Sequence, residues 1–244
     1  MRIKNNYILI TCLAGCLLFP SCSSDNCIVG EGPMTTTTLS IADFTGIDLS
    51  TTTDVTINQG TSQRVEATGH PNIIELISAN VSNGIWVIDL EGGCIQDFEL
   101  SLDITVPNIN QLRASSTGNI VVNDFSNQNV LTVDISSTGS LTLNRFEGIS
   151  ELDVSLSSTG DFIGNEDIST LDRVNVNVSS TGAYSAFAIR SPDYTINASS
   201  TGDSEITALN TLDVTISGTG DVSYKGMPLI TQNITGTGDL IDAN

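Results

Sequence analysis

Apolar and polar residues alternate along most of the second half of the chain. β-branched residues are frequent at the apolar positions, and the residues between them are mainly polar. Clear examples are the apolar triplets Leu131, Val133, Ile135; Leu152, Val154, Leu156; and Val174, Val176, Val178. A period of two is typical of strands with one buried face, and no segment of this region shows sustained helical periodicity. We therefore predict an all-β fold.

A short phrase of the form apolar, Ser, Ser, Thr, Gly, polar, apolar recurs seven times between Ala114 and Ile241. Its glycines are Gly118, Gly139, Gly160, Gly182, Gly202, Gly220 and Gly238, at steps of 21, 21, 22, 20, 18 and 18 residues. Units this short cannot enclose a core, so they must stack on one another. Equivalent residues keep the same inward or outward sense, which favours parallel pairing. The pattern predicts a parallel β-helix with about 20 residues per coil, and the general crossover preference favours the right-handed form.

Within the phrase, the glycine column predicts a backbone position with positive φ. The preceding serine column changes to Gly218 and Gly236 where the period shortens to 18 residues, which predicts a tighter corner in the last coils. Gln232 occupies an inward position that is apolar in other coils. We interpret it as an end cap that discourages pairing of the last strand with other chains.

The region 39–110 follows the phrase only loosely, and two organisations fit it: irregular coils, or an antiparallel cap over one end of the helix. Asn83-Gly84 lies between apolar runs, a strong signal for a hairpin. We favour irregular strands that include this hairpin and form one continuous domain, 39–244, with the regular coils of 111–244.

The first residues have the features of an export signal. Arg2 and Lys4 precede an apolar run at 7–19, which is too short for a lasting membrane span. The end of this segment resembles a bacterial lipoprotein signal. It predicts a signal peptide at 1–21, a lipidated Cys22, a polar tether at 22–38, and attachment to the outer membrane, facing either the periplasm or the outside. Ordinary cleavage, with Cys22 as a plain thiol, is the alternative.

Charge and cysteine content narrow the chemistry further. The chain has 8 basic and 28 acidic residues, a formal net charge of −20, which opposes nucleic-acid binding. Cys27 and Cys94 remain after the signal region, and an even pair in an oxidising compartment permits a disulfide. A metal site would need more ligands than these two residues and the lone His70 provide.

The order of features from Leu39 to Leu240 resembles the family called putative auto-transporter adhesin, head GIN domain. The matching segments are 44–49, 54–60, the hairpin strand 84–88, and 102–107, followed by Ser-Gly and Thr-Gly coils. The resemblance implies a β-helical, exported or surface-anchored protein of Gram-negative bacteria. It implies no catalytic residues.

Two sets of residues are candidate sites within the regular coils. Asp203, Asp221 and Asp239 follow successive glycines and would stack about 4.8 Å apart, where they could share a calcium ion. Aspartate is also a common turn residue, which is the simpler interpretation. Trp86 and Tyr224 are candidates for stacking on a glycan, whereas Tyr184 and Tyr194 fall on inward positions and are predicted core.

An enzymatic function would need paired carboxylates or a base beside a cleft. His70 lies outside the regular coils, and Arg113, Arg145, Arg173 and Arg190 are scattered one per coil. We therefore predict a non-catalytic adhesion or binding module, with a glycan or protein partner and no cofactor other than the calcium considered above. A structural spacer is the second hypothesis and a polysaccharide-processing enzyme the third. The repeats do not specify an oligomeric state.

Overall fold

The computed structural model describes residues 27–126, 128–166, 168 and 171–244. The signal peptide predicted at 1–21, the lipidation predicted at Cys22 and the start of the tether lie outside the described residues. The strands are β1 (Ile28–Val29), β2 (Thr35–Leu39), β3 (Gly46–Leu49), β4 (Asp54–Gln59), β5 (Arg64–Gly69), β6 (Val81–Ser82), β7 (Ile85–Ile88), β8 (Ile95–Gln96), β9 (Leu100–Val106), β10 (Gln111–Ala114), β11 (Ile120–Val122), β12 (Val130–Ile135), β13 (Leu141–Leu143), β14 (Glu151–Leu156), β15 (Phe162–Gly164), β16 (Arg173–Val178), β17 (Tyr184–Ala198), β18 (Ser204–Ile216), β19 (Val222–Lys225), β20 (Leu229–Ile234) and β21 (Leu240–Asp242). One short helix, α1, spans Pro71–Ile74. Within this part of the chain, no helix has the length and apolar character needed to cross a membrane.

The strands stack into a β-solenoid of about six turns with about 21 residues per turn, which confirms the predicted fold class. Two parallel sheets form its walls. Sheet A consists, in spatial order, of β7, β3, β10, β12, β14, β16, the second halves of β17 and β18, and β20. Sheet B consists of β9, β4, β11, β13, β15, the first halves of β17 and β18, β19 and β21.

The core lies between the sheets and is filled by the apolar columns that the alternation predicts. Leu131, Val133 and Ile135 are at most 1% exposed, and their counterparts in the neighbouring coils are equally buried. Aromatic rings stack from coil to coil, with Phe162 over Tyr184 at 5.0 Å between ring centroids. Tyr184 and Tyr194 are buried, as predicted, and their hydroxyl oxygens lie 2.8 Å apart.

The glycine column has a different cause from the one that the sequence suggested. None of the seven glycines is among the described residues with positive φ, so the predicted left-handed conformation is wrong. The column is instead set by close approach between coils. A Cβ on Gly139 would overlap the carbonyl oxygen of Gly118 and would lie 2.7 Å from that of Ser116. Only glycine lets successive corners stack at the strand spacing.

The shorter period of the last coils does not come from a tighter glycine corner, which corrects a second prediction. Nine residues separate the start of each sheet A segment from the next glycine, from Val130 to Gly139 and equally from Leu229 to Gly238. The distance from a glycine to the next sheet A segment falls from twelve residues after Gly118 to nine after Gly202. The connection between the sheets is therefore shorter: β18 runs continuously from one sheet into the other, and only residues 226–228 lie between β19 and β20.

The N-terminal region contains coils built out of chain order. β4 pairs with β11 on one side and with β9 on the other. The spatial order β9, β4, β11 therefore differs from the chain order, in which β9 comes between β4 and β11. The chain thus forms the β3–β4 coil first and then the β7–β9 coil on its outer side. It then crosses to the inner side of the β3–β4 coil, where β10 begins. The predicted hairpin is present between β6 and β7, with Asn83 and Gly84 at φ 53° and 77°.

Antiparallel strands close this end of the solenoid. β5 pairs with β9, and β2 pairs with β5, so irregular coils and an antiparallel cap occur together. The tether predicted for 22–38 is wrong from Cys27 onward, because β1 pairs with β8 and Thr35–Leu39 belongs to the cap. Cys27 and Cys94 form a disulfide that fastens β1 to the cap.

Candidate functional site

A groove runs along the corner where the chain enters sheet A. We call it the corner groove and define it by one residue at the start of each of seven neighbouring strands of sheet A. In spatial order these are Gly84, Thr45, Asn110, Asn129, Ser150, Asp172 and Asp193. Six steps of one strand spacing make it about 29 Å long.

A ladder of backbone hydrogen bonds forms the floor of the corner groove and keeps its residues in register. At five of the six steps the N–H donates to the carbonyl of the neighbouring residue in the groove: Thr45 to Gly84 at 2.9 Å, Asn110 to Thr45 at 2.8 Å, Ser150 to Asn129 at 2.9 Å, Asp172 to Ser150 at 2.9 Å, and Asp193 to Asp172 at 3.3 Å. At the step from Asn110 to Asn129, the Asn110 carbonyl accepts instead from the Thr132 N–H at 2.9 Å. Because these groups satisfy one another, the outward side chains are free to set the chemistry of the surface.

The half of the groove nearest the cap carries amides and hydroxyls beside apolar surface from Phe44, Pro107 and Val130. It contains two adjoining clefts of about 440 and 410 Å³ that share Thr45. The exposed polar side chains in them are Asp43, Thr45, Ser62, Asn108, Asn110 and Asn129. Amides and hydroxyls both donate and accept hydrogen bonds, so this half matches a ligand rich in hydroxyl groups. We call it the amide half.

Three glutamines hold the loops of the amide half in shape. Gln63 accepts from the Phe44 N–H at 3.1 Å and donates to two carbonyls of the same loop. Gln128 is buried; it accepts from the Ile109 N–H at 3.1 Å and donates to the Ser126 carbonyl. Gln59 donates to the carbonyls of Pro107 and Ser126. These bonds give irregular loops fixed partners, so the clefts are formed before any ligand arrives.

Trp86 lies beneath the amide half and not on its surface. The indole is fully buried, its Nε1–H donates to the Ser78 carbonyl at 2.9 Å, and its ring packs on Phe44 at 5.4 Å. The prediction that Trp86 stacks on a glycan is therefore wrong, since no face of the ring is accessible. Phe44 lines the cleft above Trp86, so the fluorescence of Trp86 should respond to a change in the position of Phe44.

The far half of the groove is acidic. Glu151, Asp172 and Asp193 surround Arg173 in a cleft of about 210 Å³. The Arg173 guanidinium donates to both carboxylate oxygens of Glu151, at 2.7 and 3.2 Å, and this pairing raises the pKa of Arg173. One arginine among three carboxylates leaves this half negative, which disfavours anionic ligands.

The aspartate column predicted to hold a cation has a structural role. The Asp203 carboxylate accepts from the Asp221 N–H at 2.9 Å, and the Asp221 carboxylate accepts from the Asp239 N–H at 2.8 Å. Asp54, Asn119 and Asp161 make the same contact in earlier coils. No group of three or more metal-ligating side chains comes together in the described part of the chain, so these aspartates do not converge on one point.

The other predicted residues lie outside the groove or within ion pairs. Tyr224 is half-buried on β19. The His70 ring lies 2.8 Å from the Gly32 carbonyl in the cap. Arg145 pairs with Asp124 at 3.3 Å and with Glu147 at 3.9 Å. Arg113 lies on sheet A in register with Asp48 and Asp134.

The residues of the amide half were not among the sequence-based candidates. One signal was present: Asn108, Asn110 and Asn129 cluster in loops that precede β10 and β12. Thr45 and Ser62 are distant from them in sequence and join them only because the coils stack out of chain order.

Comparison with solved structures shows the same fold in several bacterial proteins. A structure described as a putative adhesin from Bacteroides fragilis has a TM-score of 0.80 at 19% identity, covering 87% of this chain and 98% of its own. One described as a putative lipid binding protein from Parabacteroides distasonis has a TM-score of 0.70 at 19% identity, covering 89% and 100%. One described as a putative adhesin from Parabacteroides merdae has a TM-score of 0.66 at 18% identity, covering 88% and 99%. These likenesses concern the fold alone.

Sequence comparison identifies the family. No curated protein matches this sequence. The family model described as putative auto-transporter adhesin, head GIN domain matches residues 43–228, which include most of both sheets, the hairpin and the corner groove. The match covers most of the chain and agrees with the structural likenesses. The chain therefore belongs to the putative auto-transporter adhesin, head GIN domain family.

Proposed function

We propose that this protein is a non-catalytic binding module of the cell envelope that holds a neutral glycan chain in the amide half of the corner groove. The observation that carries the proposal is the pair of clefts lined by Thr45, Asn108, Asn110 and Asn129. Their polar groups project from loops whose own backbone is already bonded, so ligand hydroxyls meet preformed donors and acceptors.

The direction and charge of the groove support the same ligand class. Its binding groups recur once per coil along a straight line, which suits a linear chain of repeating hydroxyl-bearing units. The surface is acidic overall, with a net charge of −20, which favours uncharged over anionic polysaccharides. The family name adhesin and the predicted lipid anchor at Cys22 fit a protein that meets such glycans at the cell envelope.

Trp86 offers a direct assay, because it is the single tryptophan of the chain and packs under Phe44 in the cleft. We expect a panel of neutral hexasaccharides, built from glucose or N-acetylglucosamine units, to include at least one that changes Trp86 fluorescence saturably. The affinity measured by calorimetry should fall about tenfold or more in Asn110→Ala, the loss expected when a polar group of the ligand loses its partner.

Asn177→Ala is the matched control, because Asn177 is an exposed amide on sheet A outside the groove. It should bind as the wild type does. Binding that Asn110→Ala leaves unchanged would place the site elsewhere. Binding to phospholipid vesicles and to no glycan would favour a lipid ligand, and binding to neither would favour the structural spacer.

A further inference from the structure

The two ends of the solenoid differ in whether further strands cover their last coil. At the cap end, β5 and β2 add antiparallel strands, and the outermost strand presents exposed threonines. At the other end, β20 and β21 pair on one side only within the described part of the chain. Leu229, Ile234 and Ile241 are exposed there by 77%, 39% and 41%. An uncovered edge with apolar side chains is a template for pairing with another strand.

We propose that β20 is a self-association edge, through which two copies of this chain pair end to end in an antiparallel dimer. Charge supports this occupant. The segment from Gly226 to Gly238 contains no ionisable side chain, in a protein with a net charge of −20. Two copies therefore meet with little repulsion along β20, whereas β21 at the same end of the solenoid carries Asp242.

The backbone of β20 has the geometry that such a dimer requires. The Thr235 N–H donates inward to the Ile216 carbonyl at 2.9 Å. Because backbone groups alternate along a strand, the N–H and C=O groups of Ile230, Gln232 and Ile234 point to the free edge. An antiparallel pair centred on Gln232 matches these groups with each other and continues sheet A across the two-fold axis.

The side chains select the same register. Ile230, Gln232 and Ile234 continue the core columns of Leu212, Val214 and Ile216. Centring the pair on Gln232 places Ile230 opposite Ile234 of the second copy on the core side, and Gln232 opposite its own equivalent. A shift by one residue would place core-side residues opposite outward ones. Gln232 therefore specifies the register of pairing, where the sequence alone suggested that it prevents pairing.

Antiparallel addition to an end strand already occurs in this molecule, where β5 pairs with the parallel strand β9. The proposed dimer repeats that arrangement at the other end. It places the two caps at the far ends of a body twice as long. That is the geometry required by two chains anchored on facing surfaces.

Introducing like or opposite charges on β20 tests the proposal. In the predicted register, Thr231 faces Asn233 of the second copy on the outer surface of sheet A. Sedimentation velocity of the purified full-length protein in detergent should show a concentration-dependent monomer–dimer equilibrium. The double variants Thr231→Lys with Asn233→Lys, and Thr231→Asp with Asn233→Asp, should each be monomeric, because like charges oppose one another directly. An equimolar mixture of the two should restore the dimer.

Thr195→Lys with Asn197→Lys is the matched control, since this Thr-x-Asn pair lies in the same columns of sheet A two strands away and away from the edge. It should dimerise as the wild type does. A wild type that stays monomeric throughout the concentration series overturns the proposal. So does a dimer that the lysine variant leaves intact, or a mixture of variants that stays monomeric. Species larger than a dimer would point to head-to-tail pairing with the cap and also contradict it.

Discussion

The corner of Gly139 stacks directly on the carbonyl of Gly118, so closely that no side chain fits between them. The same relationship links Gly160 to Gly139 and Gly182 to Gly160. It explains why the most regular feature of the sequence carries no ligand chemistry. The repeated phrase builds one corner, and the corner groove lies at a different corner.

Replacing a stacked glycine should destabilise the fold. A Cβ at Gly160 would overlap the carbonyl of Gly139, so we expect Gly160→Ala to lower the free energy of unfolding by about 3 kcal/mol. Gly93 is the control, because a Cβ there meets nothing within 4 Å and its φ is not positive. Gly93→Ala should change stability by less than about 1 kcal/mol. Urea unfolding of both variants makes the comparison, and equal stabilities would contradict the close-approach explanation.

The buried tyrosine pair should make the protein sensitive to alkali. Burial raises the pKa of Tyr184 and Tyr194 above the ordinary value of about 10. The unfolded chain loses these protons at a lower pH than the native state does. The contribution to stability is therefore complete below about pH 10 and is lost as the pH rises through the native-state values.

The measurement is the melting temperature as a function of pH, from neutral to strongly alkaline. Tyr184→Phe with Tyr194→Phe removes both ionisable groups and should flatten the alkaline decline. A decline of the same steepness in the double variant would show that other groups cause it.

The stability of the protein should depend on the hydrogen bonds that the aspartate column accepts and not on its negative charge. Asp221→Asn retains an acceptor for the Asp239 N–H and should leave stability nearly unchanged, as Asn119 does naturally in its own coil. Asp221→Ala leaves that N–H without this partner and should cost about 1 kcal/mol. Thermal unfolding separates the two variants. Millimolar calcium should not raise the melting temperature; a rise that Asp221→Asn abolishes would restore the cation site.

The disulfide should hold β1 on the cap. Cys27 and Cys94 are 67 residues apart in sequence, and closing a loop of this length is worth about 4 kcal/mol on the chain-entropy model. Cys27→Ser with Cys94→Ser should therefore lower the stability of the cap region, observed as an earlier unfolding transition of Trp86 fluorescence. Limited proteolysis should cut first near β1 and β8. Unchanged unfolding and proteolysis would contradict this role.

The sequence by itself determined the solenoid, the members of its core and the register between regular coils. Alternation with a period of two predicts which side chains are buried. Its recurrence about every 20 residues predicts which neighbouring strand each strand pairs with. These are local signals repeated many times, as the columns of Leu131, Leu152 and Val174 show. Where the pattern is regular, stacking admits only one alignment of equivalent residues.

Only the tertiary structure decided what lies between the repeats. The order of coils at the cap depends on β9 pairing beside β4, a non-local choice that no periodicity encodes. That choice brings Thr45 beside Asn110 and so creates the amide half, and it buries Trp86 beneath it. The cause of the glycine column was likewise hidden, because a positive φ and a close approach of two corners select the same residue. The physical reason is common to all three: they depend on which backbones meet across the coils, and that is a property of the assembled fold.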